Sequence, residues 1–533
     1  MLNIYQLEQH IEEQMQAAQV PGLALAIVKD QAVIYARGFG VTSVEDSGVP
    51  VTPQTLFRIA SVTRPLTGTA LMRLVEQGKL DLDRPLKHYI DWLTFHEAGI
   101  EEQVSLRMLL SHTSGLRTAG EHFGPRNPEA LEAYIRTALP TFELTAPPGK
   151  FWAYSNPGMN LAGYLAEVVS GQPFTRLMQE LVFDPLQMRR TTFDPLVAMT
   201  YALAQSHDVR ADGTLCVQHE FAESVPYYPS SFALSTVLDL ANFASMQMNH
   251  GAFQNQQVLT PASVQAMQTK QVSTYTLSDA GYGLTLGLDT YKGIPIVEHK
   301  GSISTFGSRF VLALDERVAI VLLYNRINAA FAVDHLISTM LDQVLDLPAK
   351  FPGPQAIEPD TTVWPLYTGS YLGNWRGLLT ISAQNAQLYL DMNGKTLPLH
   401  ALKRDLYFGK IPESEARLSI GFPLEGPEPA DYILVDTLPC QRIERASGIV
   451  PDLDQWQAYC GTYVGGVDVL TFRIEDGQLI IHASSDQKEV TCIPLDTTRF
   501  ACDWGVFEFH IAQDGSVPWV TYGQAYKIMR VDA

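Results

Sequence analysis

The sequence has no run of about 18 apolar residues, the length a helix needs to cross a bilayer. It begins Met1-Leu2-Asn3-Ile4-Tyr5-Gln6-Leu7-Glu8, which lacks the basic stretch and apolar core of an export signal. Cysteine is scarce. Cys216, Cys440, Cys460, Cys492 and Cys502 are odd in number and include no Cys-x-x-Cys pair. This argues against a disulfide framework and for reduced, structural thiols in a cytoplasmic protein. Basic charge is also short: 37 Lys and Arg stand against 57 Asp and Glu, a net charge of −20. A nucleic-acid binder shows the opposite balance, so nucleic acid is not expected as a partner. The lack of a long apolar run gives the expectation of no membrane partner. The acidity serves solubility and says little about substrate.

What is present is ample core material. Of 533 residues, 46 % are hydrophobic and 10 % aromatic, which predicts two to four folded domains. Ile4, Leu7, Ile11 and Met15 fall on one face of a helix over 4–18. Strands follow over Gly22–Val28 and Ala32–Gly38. Helices are expected at Leu106–Leu110, Asn127–Ala138, Met159–Ser170, Ser235–His250 and Thr260–Thr269. Strands return at Ile294–Lys300, Ser308–Leu314 and Ala319–Tyr324, before a helix over Ala330–Leu345. Strands at both ends with helices between them predict one sheet assembled from both termini.

Residues 347–362 are Pro-rich, and beyond them the composition alternates as strands do. An internal repeat is visible. Trp364…Tyr367-Thr368-Gly369-Ser370-Tyr371 matches Trp456…Tyr459-Cys460-Gly461-Thr462-Tyr463. Tyr407-Phe408 pairs with Arg499-Phe500, and Cys440-Gln441-Arg442-Ile443 with Tyr526-Lys527-Ile528-Met529. Two small antiparallel barrels or sandwiches are expected, over 363–449 and 450–533. Neither carries a catalytic cluster; Ser485-Asp486-Gln487-Lys488 has Ser-x-x-Lys spacing but reads as a hairpin turn.

The stretch that organises the chain is Phe57-Arg58-Ile59-Ala60-Ser61-Val62-Thr63-Arg64-Pro65. It delivers a serine to the start of a helix that runs to Gly78, with Arg64 on the same face. Such a serine is ordinarily an N-cap, but the same place also favours a developing alkoxide. Two further stretches join it: Tyr154-Ser155-Asn156 in a turn, and His299-Lys300-Gly301-Ser302 on a strand that a small residue opens to close approach.

In this order and spacing, with Leu109-Leu110-Ser111-His112-Thr113-Ser114-Gly115-Leu116 and Leu234-Ser235-Thr236…Asp239-Leu240 in support, residues 5–345 resemble the serine β-lactamase and penicillin-binding-protein superfamily. The class C β-lactamase-like branch is the nearest in pattern. The resemblance implies an α+β fold: an antiparallel sheet flanked by helices over 1–346, followed by the linker and the two barrels. It implies Ser61 as nucleophile, Tyr154 as proton relay and Asn156 as holder of the substrate carbonyl or amide, with Lys300 and Gly301 beside the substrate. The backbone N–H groups of Ser61 and Ser302 would form the oxyanion hole, where losing one donor commonly costs about 3–4 kcal/mol. His299 stands where the antibiotic-hydrolysing members have the lysine of Lys-Thr-Gly, which resembles the peptidases and esterases instead. No metal and no cofactor are implied.

Arg64 departs from the pattern, which is Ser-x-x-Lys. A lysine can be tuned to act as a base; an arginine keeps its proton in proteins. Three ways stay open: Tyr154 as tyrosinate base beside the Arg64 charge, Lys300 as base, or a disabled site, by nature or by replacement of the lysine. The whole layout resembles the D-aminopeptidase subgroup, which cleaves small peptide, amide or ester substrates without metal. There a barrel loop selects the substrate, and Pro412–Pro429 is the candidate here. The expected partner is a small-molecule or peptide substrate, with a homo-oligomer left open. An acyltransferase or peptide cyclase would use the same acyl-enzyme, and a non-catalytic binding protein would use none.

Overall fold

The computed structural model describes residues 3–45, 48–118, 120, 122–210, 212–328, 330–348, 351–352, 355–392, 395–411, 416–424, 426–443, 452–465, 468–484, 489–523 and 526–531. The chain divides into two compact units, residues 1–273 with 280–352, and residues 274–279 with 353–533.

The first unit is built on an eight-stranded antiparallel sheet. Gly22–Lys29 lies between Ala32–Gly40 and Val318–Tyr324, so the N-terminal hairpin pairs with the late strands. Phe306–Ala313, Ile294–Ile303 and Gly287–Tyr291 continue the sheet. Strand alternation splits the core in two. Leu23, Leu25 and Ile27 point to one face, where Leu7 and Ile11 of the helix Ile4–Ala17 and Leu336 and Met340 of the helix Val333–Leu345 cover them. Ala24, Ala26 and Val28 point to the other, against the larger helical layer. That layer includes Thr63–Glu76, Asn156–Ser170 and Val237–Met248. Burial on both faces is why Gly22–Val28 reads as an almost unbroken apolar run.

Strands and helices fall where the periodicity puts them, with end shifts of a few residues. Shifts of three residues occur at Ala130, Ile303 and Val333, and at Asn156, which opens its helix before Met159. There Ser155 is the N-cap, accepting from the Gly158 N–H at 3.0 Å, and Pro157 suits the first turn.

The second unit contains two closed eight-stranded antiparallel barrels. Each closes by pairing its first and last strands, Tyr371 opposite Arg442 and Tyr463 opposite Arg530. Both tyrosines are buried and donate to the carbonyl four residues back, at 2.7 and 3.0 Å. Arg442 caps the Leu366 and Thr368 carbonyls, and Arg530 caps those of Ala458 and Cys460. The glycines of the repeated motif have φ of +152° at Gly369 and +145° at Gly461, and a Cβ on Gly369 would strike the Arg442 guanidinium. The repeat therefore aligns Arg442 with Arg530, not with Ile528, a shift of two residues. A one-residue shift occurs at Tyr407, whose counterpart is Phe500: these pack edge-on against Tyr367 and Tyr459 respectively. Sequence similarity misplaced both because short stretches of likeness do not fix the register of a strand.

The stretch Pro412–Pro429 is not a single loop, since Arg417–Gly421 is a barrel strand. Pro412–Glu415, Glu425 and Ser485–Lys488 lie outside the described residues, as does the expected boundary at 449/450. Among the described residues no helix is long and apolar enough to cross a membrane.

Candidate active site

Ser61 sits in a single 3-10 turn, Ala60–Val62, that leads directly into Thr63–Glu76. It caps neither element: Val62 occupies the N-cap position of the longer helix, and no side chain caps either one. The turn is held from several sides. Ala60 has φ +49°, an uncommon conformation for a residue with a side chain. The Ile59 N–H donates to the Ala233 carbonyl at 3.0 Å, and Ser308 Oγ donates to the Ile59 carbonyl at 2.7 Å. Thr63 Oγ1 donates back to the Ala60 carbonyl at 2.7 Å. Just upstream, Arg58 is buried in an ion pair with Glu223 at 2.8 Å and donates to the Phe232 carbonyl at 2.9 Å.

Gly301 lies against this turn. A Cβ there would come within 2.5 Å of the Ile59 carbonyl and 3.0 Å of Ala60 Cβ, besides striking Ser308 Oγ. Only glycine lets the strand Ile294–Ile303 run beside Ser61. Ser61, Tyr154, Asn156, Lys300, Gly301 and Ser302 line one cavity of about 350 Å³, shared with His122, Tyr227 and Arg309. None of the described lining residues is acidic.

Arg64 and His299 are buried and stand behind this lining. The Arg64 guanidinium lies 4.5 Å over the Tyr154 ring and donates through Nη2 to Asn156 Oδ1. Its Nε and Nη1 are buried with no hydrogen-bond partner among the described residues. His299 contacts the Lys300 carbonyl through Nδ1 at 2.8 Å and the Tyr282 hydroxyl through Nε2 at 3.2 Å. The carbonyl can only accept, so Nδ1 carries the proton and Nε2 receives the Tyr282 O–H. Burial, and then the Arg64 charge, push His299 down to about 3, so it is neutral at physiological pH. Lys300 is half exposed and stands 3.9 Å from Glu298 and 3.8 Å from Asp334.

The sequence singled out Ser61, Arg64, Tyr154, Asn156, His299, Lys300, Gly301 and Ser302, and the structure gathers all of them at one place. It adds His112 and Tyr282. His112, fully buried with φ +56°, packs against Tyr154 at 4.6 Å and Tyr282 at 5.1 Å between ring centroids. The Ser155 N–H donates to its Nδ1 at 3.3 Å, which places the proton of the neutral ring on Nε2. Burial, then Arg64 and His299, hold it well below the ordinary histidine value. His112 carried a signal, since it lies in a supporting motif; Tyr282, a lone aromatic between glycines, carried none. One buried cation is therefore surrounded by two neutral imidazoles and two phenols.

Residues 7–340 match the family described as Beta-lactamase, and the chain belongs to that family. It is similar to Protein flp of Staphylococcus aureus strain MW2, 25 % identical over 337 residues, 62 % of this chain and 65 % of the relative, so it spans just under two thirds of that protein. Penicillin-binding protein 4 of Amycolatopsis lactamdurans is 28 % identical over 293 residues, 53 % of this chain and 75 % of that protein. In fold, the chain resembles the octameric penicillin-binding protein homologue of Pyrococcus abyssi, with a TM-score of 0.59 at 23 % identity over 82 % of this chain and all of that one.

Proposed function

We propose that the chain is a metal-independent serine hydrolase that forms an acyl-enzyme on Ser61 with small peptide, amide or ester substrates, of D-aminopeptidase or esterase type. The convergence of Ser61, Tyr154, Asn156, Gly301 and Ser302 on one cavity carries this reading. Ser61 Oγ attacks the substrate carbonyl, and its proton passes to the Tyr154 oxygen and on to the leaving group. The oxyanion forms between the N–H groups of Ser61 and Ser302. Asn156 lines the cavity and accepts from Arg64 through Oδ1, and we assign it to holding the substrate carbonyl or amide. His299 orders Tyr282 and, through it, the aromatic wall behind Tyr154. We also propose the division into a catalytic domain over 1–346, a linker over 347–362 and barrel domains over 363–449 and 450–533.

Arg64 cannot take up the Ser61 proton. Nor can it take a proton from the water that must release the acyl group. An activated ester, whose leaving group needs no proton, therefore acylates Ser61 faster than the acyl group leaves. The missing base also gives weight to a second reading in which the site binds acyl ligands without hydrolysing them. Transfer to an amine, as in an acyltransferase or cyclase, needs only a different acceptor in the same cavity. Labelling with a fluorophosphonate, read as intact mass and mapped to its peptide, separates these. An adduct on Ser61 that Ser61→Ala abolishes supports the hydrolase reading. An unlabelled native chain beside a labelled Arg64→Lys variant supports the disabled one.

A further inference from the structure

The first unit holds a second and larger cavity, of about 810 Å³. Its wall is aromatic. Phe193 stacks with Tyr228 at 5.2 Å and with Phe183 at 6.0 Å between centroids, and meets Phe174 edge-on at 5.5 Å. Glu167 and Glu223 also line it. One Glu167 oxygen accepts the Phe174 N–H at 2.7 Å. Glu223 is 2 % exposed; its Oε2 holds Arg58, and the Tyr228 hydroxyl lies beside the carboxylate. The other charged groups facing the cavity are mostly committed. Arg176 pairs with Glu180 at 2.7 Å, Asp194 accepts the Leu196 N–H at 2.8 Å, and Arg126 is exposed.

Carboxylates set into an aromatic wall suit one kind of ligand. A cation there gains the carboxylate charge and the ring faces together, while an apolar body fills the rest. We propose that this cavity is a second ligand site, selective for a primary ammonium carried on a compact aromatic or branched aliphatic body. It is separate from the Ser61 cavity and does not depend on how Ser61 reacts. Burial, with Glu132 adding to it, pushes Glu167 up to about 6, so the site gains its full negative charge only above that pH.

Calorimetric titration of the full chain with 2-phenylethylammonium chloride, against neutral 2-phenylethanol, tests this. At pH near 7 the ammonium should bind about ten-fold more tightly than the alcohol, and the preference should shrink near pH 5. Glu167→Gln retains an acceptor for the Phe174 N–H and should abolish the preference. Phe193→Leu keeps most of the volume, guards against a misfolded Glu167 variant, and should weaken the ammonium several-fold. Absence of saturable binding, equal affinity for the two probes, or a preference that survives in Glu167→Gln would overturn the proposal.

Discussion

At Arg64 the protein keeps a fixed charge where its family pattern has a titratable one. The guanidinium is buried over Tyr154 and bound to Asn156, so it can orient both but relay no proton. Arg64→Lys is expected to raise steady-state ester hydrolysis about a hundred-fold, the lower end of what a positioned base contributes, with KM rising alongside kcat because release of the acyl group limits turnover. The neutral histidines make a separate mark. His299 is held at about 3, far below its unfolded value, so the unfolded chain binds the extra proton as pH falls. Stability is full above about pH 6.5 and is lost downward through the window to about 3, by about 2 kcal/mol at pH 5 from His299 alone. Urea midpoints at pH 7 and 5 measure it, and His299→Gln should shrink the difference by that amount.

The elements around Ser61 depend on close approach. Gly301 admits the strand to the Ala60–Val62 turn, and Gly301→Ala should displace the turn, cost about 1–3 kcal/mol and abolish labelling of Ser61. The Arg58–Glu223 pair sits under the same turn, and Glu223→Ala would leave a buried guanidinium unpaired. A loss of about 3–5 kcal/mol is expected, read as a fall in the urea midpoint. Much of this was legible in the sequence. Leu7 and Ile11 announced the first helix by their spacing, and the glycine after His299-Lys300 announced close packing. The Arg58–Glu223 pair and the Tyr282–His299 bond were not legible, because each joins residues that only the tertiary fold brings together. Nor did periodicity show that Ser61 lies in its own 3-10 turn ahead of the longer helix. That placement comes from the left-handed Ala60 and the hydrogen bonds to Ile59, which no local pattern encodes.

On the scale of the whole molecule, the Ser61 cavity belongs to the first unit, and two copies of one barrel plan make up most of the second. The copies share a closing device, an arginine beneath a buried tyrosine that satisfies two carbonyls of the entering segment. Arg442→Ala would strip those carbonyls of their donor, and hydrogen exchange should show Gly369–Gly373 and Leu438–Ile443 losing protection before the other strands of that barrel. The Tyr-x-Gly-x-Tyr repeat made the pair of barrels readable, while the equivalence of Arg442 and Arg530 needed the register. On the proposed reading, Ser61 acylates although Arg64 slows release of the acyl group. The most direct test is intact mass, tracked in time after a pulse of an activated acyl ester. The native chain should carry one acyl group on Ser61 that persists, and Arg64→Lys should clear it at least about ten-fold faster. A native chain that never gains the acyl mass, or one that loses it as fast as Arg64→Lys, would contradict that reading.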